Sequence, residues 1–176
     1  TTAAPTTSGT TVTSLTSTVE TTTSLTGVCE NPKTFNYENK DDSDLTVEAS
    51  NSEATQTPKD SLKGSGKGLV PNEAGSVLEY IINGRNNPVT FVDGVVDVVN
   101  IEEITVSLVD EGGSTVQSEK KTFDDKNVVH TITLNFNMVD ADLLRITVKP
   151  NPNASNQGSI SNVQFRVCYT PSTTAA

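Results

Sequence analysis

The sequence is poor in the residues that most often build catalytic and metal centres. It has no Trp, one His, one Met and two Cys among 176 residues. A single His gives no basis for a Ser-His-Asp triad, and two Cys with one His cannot complete a tetrahedral zinc site. The three Tyr supply few rings for stacking against sugars. We therefore expect a protein that is not an enzyme, with calcium as the only candidate cofactor.

Basic residues and long apolar runs are also scarce. Twelve Lys and Arg stand against 22 Asp and Glu, which gives a formal net charge of -10 and a pI of about 4.4. A chain this acidic repels phosphate backbones, which argues against nucleic acid as a partner. No stretch approaches 18 consecutive apolar residues, so the sequence predicts no membrane span.

Apolar residues make up only 33% of the chain, against about 45–50%, a range that counts Gly as apolar, in an average globular protein. The shortage is local, because 13 of the 27 Thr residues fall within the first 26 positions. We therefore divide the chain into a Thr/Ser-rich segment at 1–27, a globular domain at 28–170 and a C-terminal linker at 171–176.

The segment 1–27 has two interpretations. Ser/Thr-rich stretches are typical of O-glycosylated stalks, which have too little apolar surface to fold. The candidate O-glycosylation sites are then Thr6, Thr7, Thr10, Thr11, Thr13, Thr16, Thr18, Thr21, Thr22 and Thr23. Thr is also a good strand former, so the segment would alternatively be an assembly arm that pairs with a sheet edge. The apolar residues of such an arm are Val12, Leu15, Val19 and Leu25.

The globular domain alternates apolar and polar residues with period two, which indicates strands with one buried face. The alternation is strongest at 45–49, 104–108, 128–136, 144–148 and 163–169, and weaker at 34–38, 77–83, 89–92, 95–99 and 114–123. No stretch of ten residues carries a helical apolar stripe. The sequence therefore predicts an all-β, two-sheet antiparallel sandwich of immunoglobulin-like or jelly-roll topology.

The two cysteines, Cys29 and Cys168, bracket the globular domain almost to the residue. An even count at the domain ends, beside a glycosylation-type segment, predicts one disulfide formed in an oxidising compartment. Closing a loop of about 140 residues would stabilise the fold by roughly 4–5 kcal/mol in the chain-entropy model. Two buried free thiols are the alternative.

Three further features are candidate sites. Asn153 begins an Asn-Ala-Ser sequon in a loop rich in Pro, Asn and Gly, which makes it a candidate for N-glycosylation. Asp41, Asp42 and Asp44 precede a strand, and loop carboxylates of this kind can hold calcium; solvated turn residues are the alternative. His130 falls on the apolar face of the strand at 128–136, where we expect a partly buried structural residue.

The sequence resembles known modules at both ends of its globular domain. A Thr-rich segment followed by Val28-Cys29-Glu30-Asn31-Pro32, together with the closing run 160–169, resembles modules of secreted mucin-like and adhesive surface proteins. The stretch 143–148 and that closing strand are similar to the last strands of galactose-binding-like, or discoidin-like, sandwiches. This resemblance covers residues 100–170 and identifies no ligand residues.

A Thr-rich arm beside a sandwich also resembles the fibre subunits of bacterial pili, whose arm completes the immunoglobulin-like sandwich of a neighbour. Main-chain pairing would supply the affinity of such a contact. Because the arm of one copy would enter the next, the contact is heterologous and open, and it propagates as a filament.

Two functional hypotheses follow. The first is a structural subunit of an extracellular filament or mucin-like matrix, in which copies associate with one another through residues 1–27. The alternative is a stalked adhesion module that binds carbohydrate or protein. Its ligand would meet the long polar loops 51–75 and 150–159 at one end of the sandwich. Both hypotheses place the protein outside the cell, either secreted or on a surface appendage.

Overall fold

The structure, a computed structural model, describes residues 29–50, 56–64 and 68–169. Its regular elements in these ranges are nine β-strands and two short 3-10 helices. The strands are β1 (Lys33–Phe35), β2 (Leu45–Ser50), β3 (Ser76–Ile82), β4 (Val89–Val99), β5 (Ile101–Val109), β6 (Thr115–Thr122), β7 (Val129–Ala141), β8 (Leu143–Pro150) and β9 (Ser159–Cys168). The 3-10 helices are Tyr37–Asn39 and Pro58–Leu62. Within these ranges no helix is long and apolar enough to cross a membrane.

The strands form two antiparallel sheets that pack face to face. One sheet has the order β1-β9-β4-β7, and the other has the order β2-β3-β8-β5-β6. Only the β2–β3 and β5–β6 connections stay within one sheet; the other connections between consecutive strands cross the sandwich. This is the pattern of a jelly roll. The predicted antiparallel sandwich is confirmed, and the open question of topology is resolved in favour of the jelly roll.

The alternating apolar residues found in the sequence fill the space between the sheets. Phe165 of β9 lies at the centre of an aromatic group, with its ring 5.6 Å from that of Tyr80 and 5.7 Å from that of Phe35. Phe91 packs against the same ring at 6.1 Å. All four side chains are buried. Burying large rings is worth more than burying small apolar groups, so this cluster joins the two sheets despite the low apolar content of the chain.

The strands predicted separately at 89–92 and 95–99 are one continuous strand, β4. Asp93-Gly94 has the composition of a turn, but the structure places a bulge there, between Phe91 and Asp93. Gly94 stays within the strand because β9 approaches it closely: a Cβ at this position would lie 2.6 Å from the carbonyl oxygen of Gln164. Gly94 therefore permits the backbones of β4 and β9 to approach closely and does not form a turn.

The strand predicted at 128–136 begins one residue later and ends five residues later. The alternation predicted that Val128 shares the buried face with Ile132, but Val128 and Val129 are 46% and 51% exposed, so that prediction is wrong for Val128. The strand continues beyond Phe136 because Asn137 and Met138 adopt φ values of 53° and 59°. This bulge lets β7 resume its pairing with β4.

The two ends of the sandwich carry different connections. At one end Asn100 joins β4 to β5, and residues of the β2–β3, β6–β7 and β8–β9 loops lie around it; we call this the cleft end. At the opposite end β9 finishes at Cys168, beside the first residues of β1 and β4; we call this the disulfide end. Cys29 and Tyr169, the first and last residues described, both lie at the disulfide end.

Candidate ligand-binding cleft

The disulfide end is held by a covalent bond. Cys29 and Cys168 are joined, with their Cα atoms 5.9 Å apart across 139 residues of sequence. The pairing is the one predicted from their positions. It ties Cys29, four positions before the start of β1, to the last residue of β9, so both boundaries of the sandwich are fixed at one place.

The same end carries a cluster of charged side chains around Lys33. Its ammonium group lies 2.6 Å from Asp42 and 3.6 Å from Asp44. The Tyr169 hydroxyl accepts from Lys33 at 3.0 Å and donates to Asp44 at 2.6 Å. Partial burial opposes the charge on Lys33, but the bonds to Asp42 and Tyr169 raise the pKa of Lys33 above its ordinary value. Two of the three calcium candidates, Asp42 and Asp44, thus share Lys33 as their partner.

The third calcium candidate, Asp41, points elsewhere. It lies 2.8 Å from Lys40 and 3.5 Å from Lys59. Across 29–50, 56–64 and 68–169, no group of three or more His, Cys, Asp or Glu residues is placed to hold a metal ion. Calcium binding at Asp41, Asp42 and Asp44 therefore stays a prediction from the sequence.

At the opposite end the loops form an open cleft of two connected parts. One part, of about 510 Å³, lies over the β4–β5 turn, and the other, of about 690 Å³, lies beside the start of β3. Both are lined by residues of the two long loops that the sequence singled out, at 51–75 and 150–159. The residues common to both parts are Val70, Asn156, Gln157 and Gly158.

The β2–β3 loop is fixed to the core by buried hydroxyl groups. Burial raises the pKa of Tyr80, so its hydroxyl stays protonated and donates to Ser61 at 2.8 Å. Ser61 in turn donates to the carbonyl of Pro58 at 2.8 Å. Tyr80 and Ser61 are both fully buried. These bonds hold the 3-10 helix Pro58–Leu62 and the chain on either side of it against β3.

Gln56 connects the two described parts of this loop. Its side-chain oxygen accepts from the Val70 backbone N–H at 2.7 Å, and its amide nitrogen donates to the carbonyl of Gly68 at 3.3 Å. Gly68 lies directly against β9, where a Cβ would come within 1.9 Å of the Ile160 carbonyl oxygen. Leu69 and Ile160 then pair as an isolated bridge, which fixes this wall of the cleft.

Three Asn side chains form a network in the floor. The Asn100 side-chain oxygen accepts from the Asn127 backbone N–H at 2.7 Å. The Asn127 side-chain oxygen accepts from the amides of Asn156, at 2.9 Å, and Asn100, at 3.3 Å. Asn100 and Asn127 have φ values of 52° and 59°, a region that Asn tolerates better than most residues. The network therefore joins the β4–β5, β6–β7 and β8–β9 connections.

The sequence indicated two of the four connections that line the cleft, at 51–75 and 150–159, and gave no prediction for Asn100 or Asn127. The sequence shows Asn-Ile at the first position and Asn-Val at the second, and neither pair has the composition of a turn. A usable signal was the presence of Asn between two apolar strand patterns, because Asn is the non-Gly residue best suited to a left-handed turn.

The cleft can both donate and accept hydrogen bonds but carries little charge. Its lining includes seven amide side chains, and each such group offers both donors and acceptors: Gln56, Asn72, Asn100, Asn127, Asn151, Asn156 and Gln157. Glu73 is the only charged residue among the described residues that line it. Such a surface suits a neutral ligand with many hydroxyl groups.

The remaining residues singled out in the sequence lie in different places. Asn153 is exposed on the β8–β9 loop beside the cleft. His130 is half-buried and stacks on Phe123 with ring centroids 4.3 Å apart, in agreement with a structural role. The candidate O-glycosylation residues between Thr6 and Thr23, and the apolar residues between Val12 and Leu25, lie outside the residues that the structure describes.

Solved structures with a similar fold include carbohydrate-binding modules. One is the family 32 module of C. perfringens NanJ in complex with galactose, with a TM-score of 0.51 at 12% identity, covering 72% of this chain and 95% of that one. A second is the Streptococcus pneumoniae fucose binding module SpX-3, with a TM-score of 0.49, 9% identity and coverage of 71% and 94%. Another solved structure with a similar fold is that of reduced XRCC1 bound to the DNA pol beta catalytic domain, with a TM-score of 0.48, 10% identity and coverage of 67% and 92%.

At 12% identity the first of these similarities establishes the jelly-roll fold and not the ligand, because one fold supports many functions. No protein-family model matches the sequence, and a search of curated proteins finds no match.

Proposed function

We propose that this chain is a non-catalytic carbohydrate-binding module that holds a neutral sugar in the cleft. The observation that carries the proposal is the network of Asn100, Asn127 and Asn156, which gathers amide groups from three loops on one surface. The cleft parts, about 510 and 690 Å³, have the size of pockets that bind small molecules. The galactose complex of the module with the same fold gives further support.

The chemistry of the cleft defines the class of sugar. Amide groups form hydrogen bonds with uncharged hydroxyl groups. Glu73 at the rim would repel carboxylated or sulfated sugars. No aromatic side chain is among the described lining residues, so the stacking that strengthens many sugar contacts is missing. We therefore expect weak affinity, with a Kd on the order of 1 mM.

The cleft lies at the end of the sandwich opposite to the one where residues 1–28 and 170–176 join it. Residues 1–28 and 170–176 join the described residues at the disulfide end, because Cys29 and Tyr169 lie there. The cleft faces the opposite direction. A disulfide is typical of proteins in oxidising compartments, which supports the extracellular location expected from the sequence.

The test is a titration of isotope-labelled protein, made in a host without N-glycosylation, with galactose and with galacturonate. We expect galactose to shift the side-chain amide signals of Asn127 and Asn156 and galacturonate to shift them much less. Asn156→Ala should abolish these shifts, because it removes a lining amide and its bond to Asn127. Asn153→Ala is the matched control, since Asn153 lies in the same loop but is not among the lining residues.

Two kinds of result would contradict this proposal. Galactose shifts that persist in Asn156→Ala, or shifts that map to the disulfide end, would contradict a sugar site in the cleft. If no neutral sugar in a broad panel shifts any signal, the carbohydrate function itself is wrong.

The filament hypothesis receives no comparable support. Its assembly arm, with Val12, Leu15, Val19 and Leu25, lies outside the described residues, and the fold is shared with sugar-binding modules. Self-association through residues 1–27 and O-glycosylation of that segment stay predictions from composition. Light scattering of the full chain against a version that lacks residues 1–27 tests the first of them: large assemblies formed only by the full chain would favour the filament.

A further inference from the structure

The sequon singled out in the sequence lies on the cleft loop. It is the only Asn-X-Ser/Thr sequence of the chain in which X is not Pro. Asn153 and Ser155 are both exposed. The Asn153 side-chain amide makes no hydrogen bond with the residues that the structure describes, so it is available for modification.

A tight turn fixes the position of the sequon. The backbone N–H of Ala154 donates to the carbonyl of Asn151 at 3.2 Å, and Pro152 occupies the second position of this turn, which Pro favours. The Asn151 side-chain oxygen accepts from the Asn153 backbone N–H at 3.0 Å. These bonds hold Asn153 at the tip of the β8–β9 loop with its side chain in solvent.

The residues on both sides of Asn153 line the larger part of the cleft. They are Asn151 and Pro152 before it, and Ala154, Ser155 and Asn156 after it. The Asn153 side chain is thus on the rim and does not itself line the cleft. An N-glycan is bulky and projects from the surface, and one attached here would extend across the opening.

We propose that Asn153 is an N-glycan acceptor and that its glycan screens the cleft, so that occupancy of this one site controls access to it. The effect on sugar binding rests on the proposed function, whereas the screening itself does not. The partner that this predicts is an oligosaccharide transferase of a secretory pathway, which recognises the exposed sequon.

The first experiment measures occupancy. The full chain would be secreted from a eukaryotic cell line, and its peptides would be analysed by mass spectrometry before and after treatment with a peptide N-glycan amidase. We expect a glycan on Asn153 that the amidase removes, and no N-glycan on Asn153→Gln or Ser155→Ala. A wild-type chain secreted without a glycan on Asn153 would overturn the proposal.

The second experiment measures access to the cleft with a bulky maleimide reagent. Glu73→Cys places a thiol on the cleft wall, and Glu111→Cys places one on the β5–β6 turn at the disulfide end; both positions are exposed. We expect the glycan to slow labelling of Glu73→Cys and to leave labelling of Glu111→Cys unchanged. Amidase treatment, or Asn153→Gln in the same chain, should restore the fast rate.

The outcomes separate this inference from the proposed function. Equal labelling rates with and without the glycan would overturn the screening while leaving sugar binding intact. Screening with no sugar binding by the unglycosylated protein would reject the proposed function alone. If both hold, galactose should bind the amidase-treated protein and lose affinity for the glycosylated one.

Discussion

The two ends of the sandwich use opposite kinds of interaction. At the disulfide end, a covalent bond and the ion pairs of Lys33 connect groups whose charges neutralise one another. At the cleft end, the network of Asn100, Asn127 and Asn156 joins the loops through neutral amides. An amide that makes one or two bonds keeps further donors and acceptors. The difference supports the proposal that a ligand binds at the cleft end.

The charge distribution agrees with this division. The chain carries a net charge of -10, yet Glu73 is the only charged residue among the described residues that line the cleft. Acidic residues elsewhere keep the surface soluble, whereas a charged cleft would have to be desolvated before it bound a neutral sugar. The cleft therefore carries little charge in a protein that is otherwise strongly acidic.

Of the changes that distinguish the two ends, removal of the disulfide should have the largest effect. We expect Cys29→Ser with Cys168→Ser to lower the free energy of unfolding by roughly 2–5 kcal/mol, because the bond closes a long loop of the unfolded chain. Urea denaturation followed by circular dichroism measures this change. Sugar affinity of the folded protein should stay unchanged, because the cleft lies at the other end. A loss of affinity without unfolding would show that the ends are coupled.

A smaller effect is expected from the network at the cleft end. Asn100 is 2% exposed and has a φ of 52°. Asn100→Ala removes its hydrogen bonds and places Ala in a left-handed conformation, which should cost about 1–3 kcal/mol. Asn100→Gly removes the same bonds without the backbone strain, so it should cost less. The free energies of unfolding of the two variants, measured side by side, isolate the two contributions.

The same pair tests whether the network positions the ligand. Both variants release Asn127, whose backbone N–H donates to the Asn100 side chain. We expect both to lose the galactose-induced shift of the Asn156 side chain. Wild-type affinity in Asn100→Gly would show that backbone geometry alone shapes the cleft. The amide network would then not be what distinguishes the cleft end from the disulfide end.

Much of the fold was predictable because it depends on local pattern. Alternation in β8 and β9 located the residues that are now buried, among them Ile146 and Phe165. The position of the cysteines predicted their pairing. The jelly-roll order was not predictable, because it depends on which strands pair across the whole chain, and alternation records only the buried face.

The candidate site was only partly predictable for a related reason. The length and composition of the loops 51–75 and 150–159 indicated where a ligand would bind. Asn100 and Asn127 are single residues between strand patterns, and their hydrogen bonds join positions 27 residues apart. The calcium candidates cluster in sequence, but Asp42 pairs with Lys33 while Asp41 pairs with Lys40, and calcium binding there stays a prediction.

The smallest effect concerns acid stability at the disulfide end. The Lys33 ammonium beside Asp42 holds the pKa of that carboxyl below its ordinary value. A carboxyl whose pKa is lowered by folding contributes stability above its unfolded pKa, and this contribution is lost as pH falls through the folded pKa. We therefore expect Lys33→Met to lower the free energy of unfolding by about 1 kcal/mol or less at neutral pH. The difference from wild type should shrink below about pH 4.

Urea denaturation at a series of pH values between neutral and strongly acidic tests this expectation. Lys120→Met is the control, because its pair with Glu103 is more exposed and should contribute less. Met at position 33 keeps an apolar stem beside the rings of Phe35 and Tyr169, over which the Lys33 ammonium lies at 4.9 and 5.6 Å. A difference that stays constant with pH would mean that these ring contacts, and not the pair with Asp42, account for the contribution of Lys33. The ion pair with Asp42 would then not stabilise the disulfide end, and the contrast in charge between the two ends would not extend to stability.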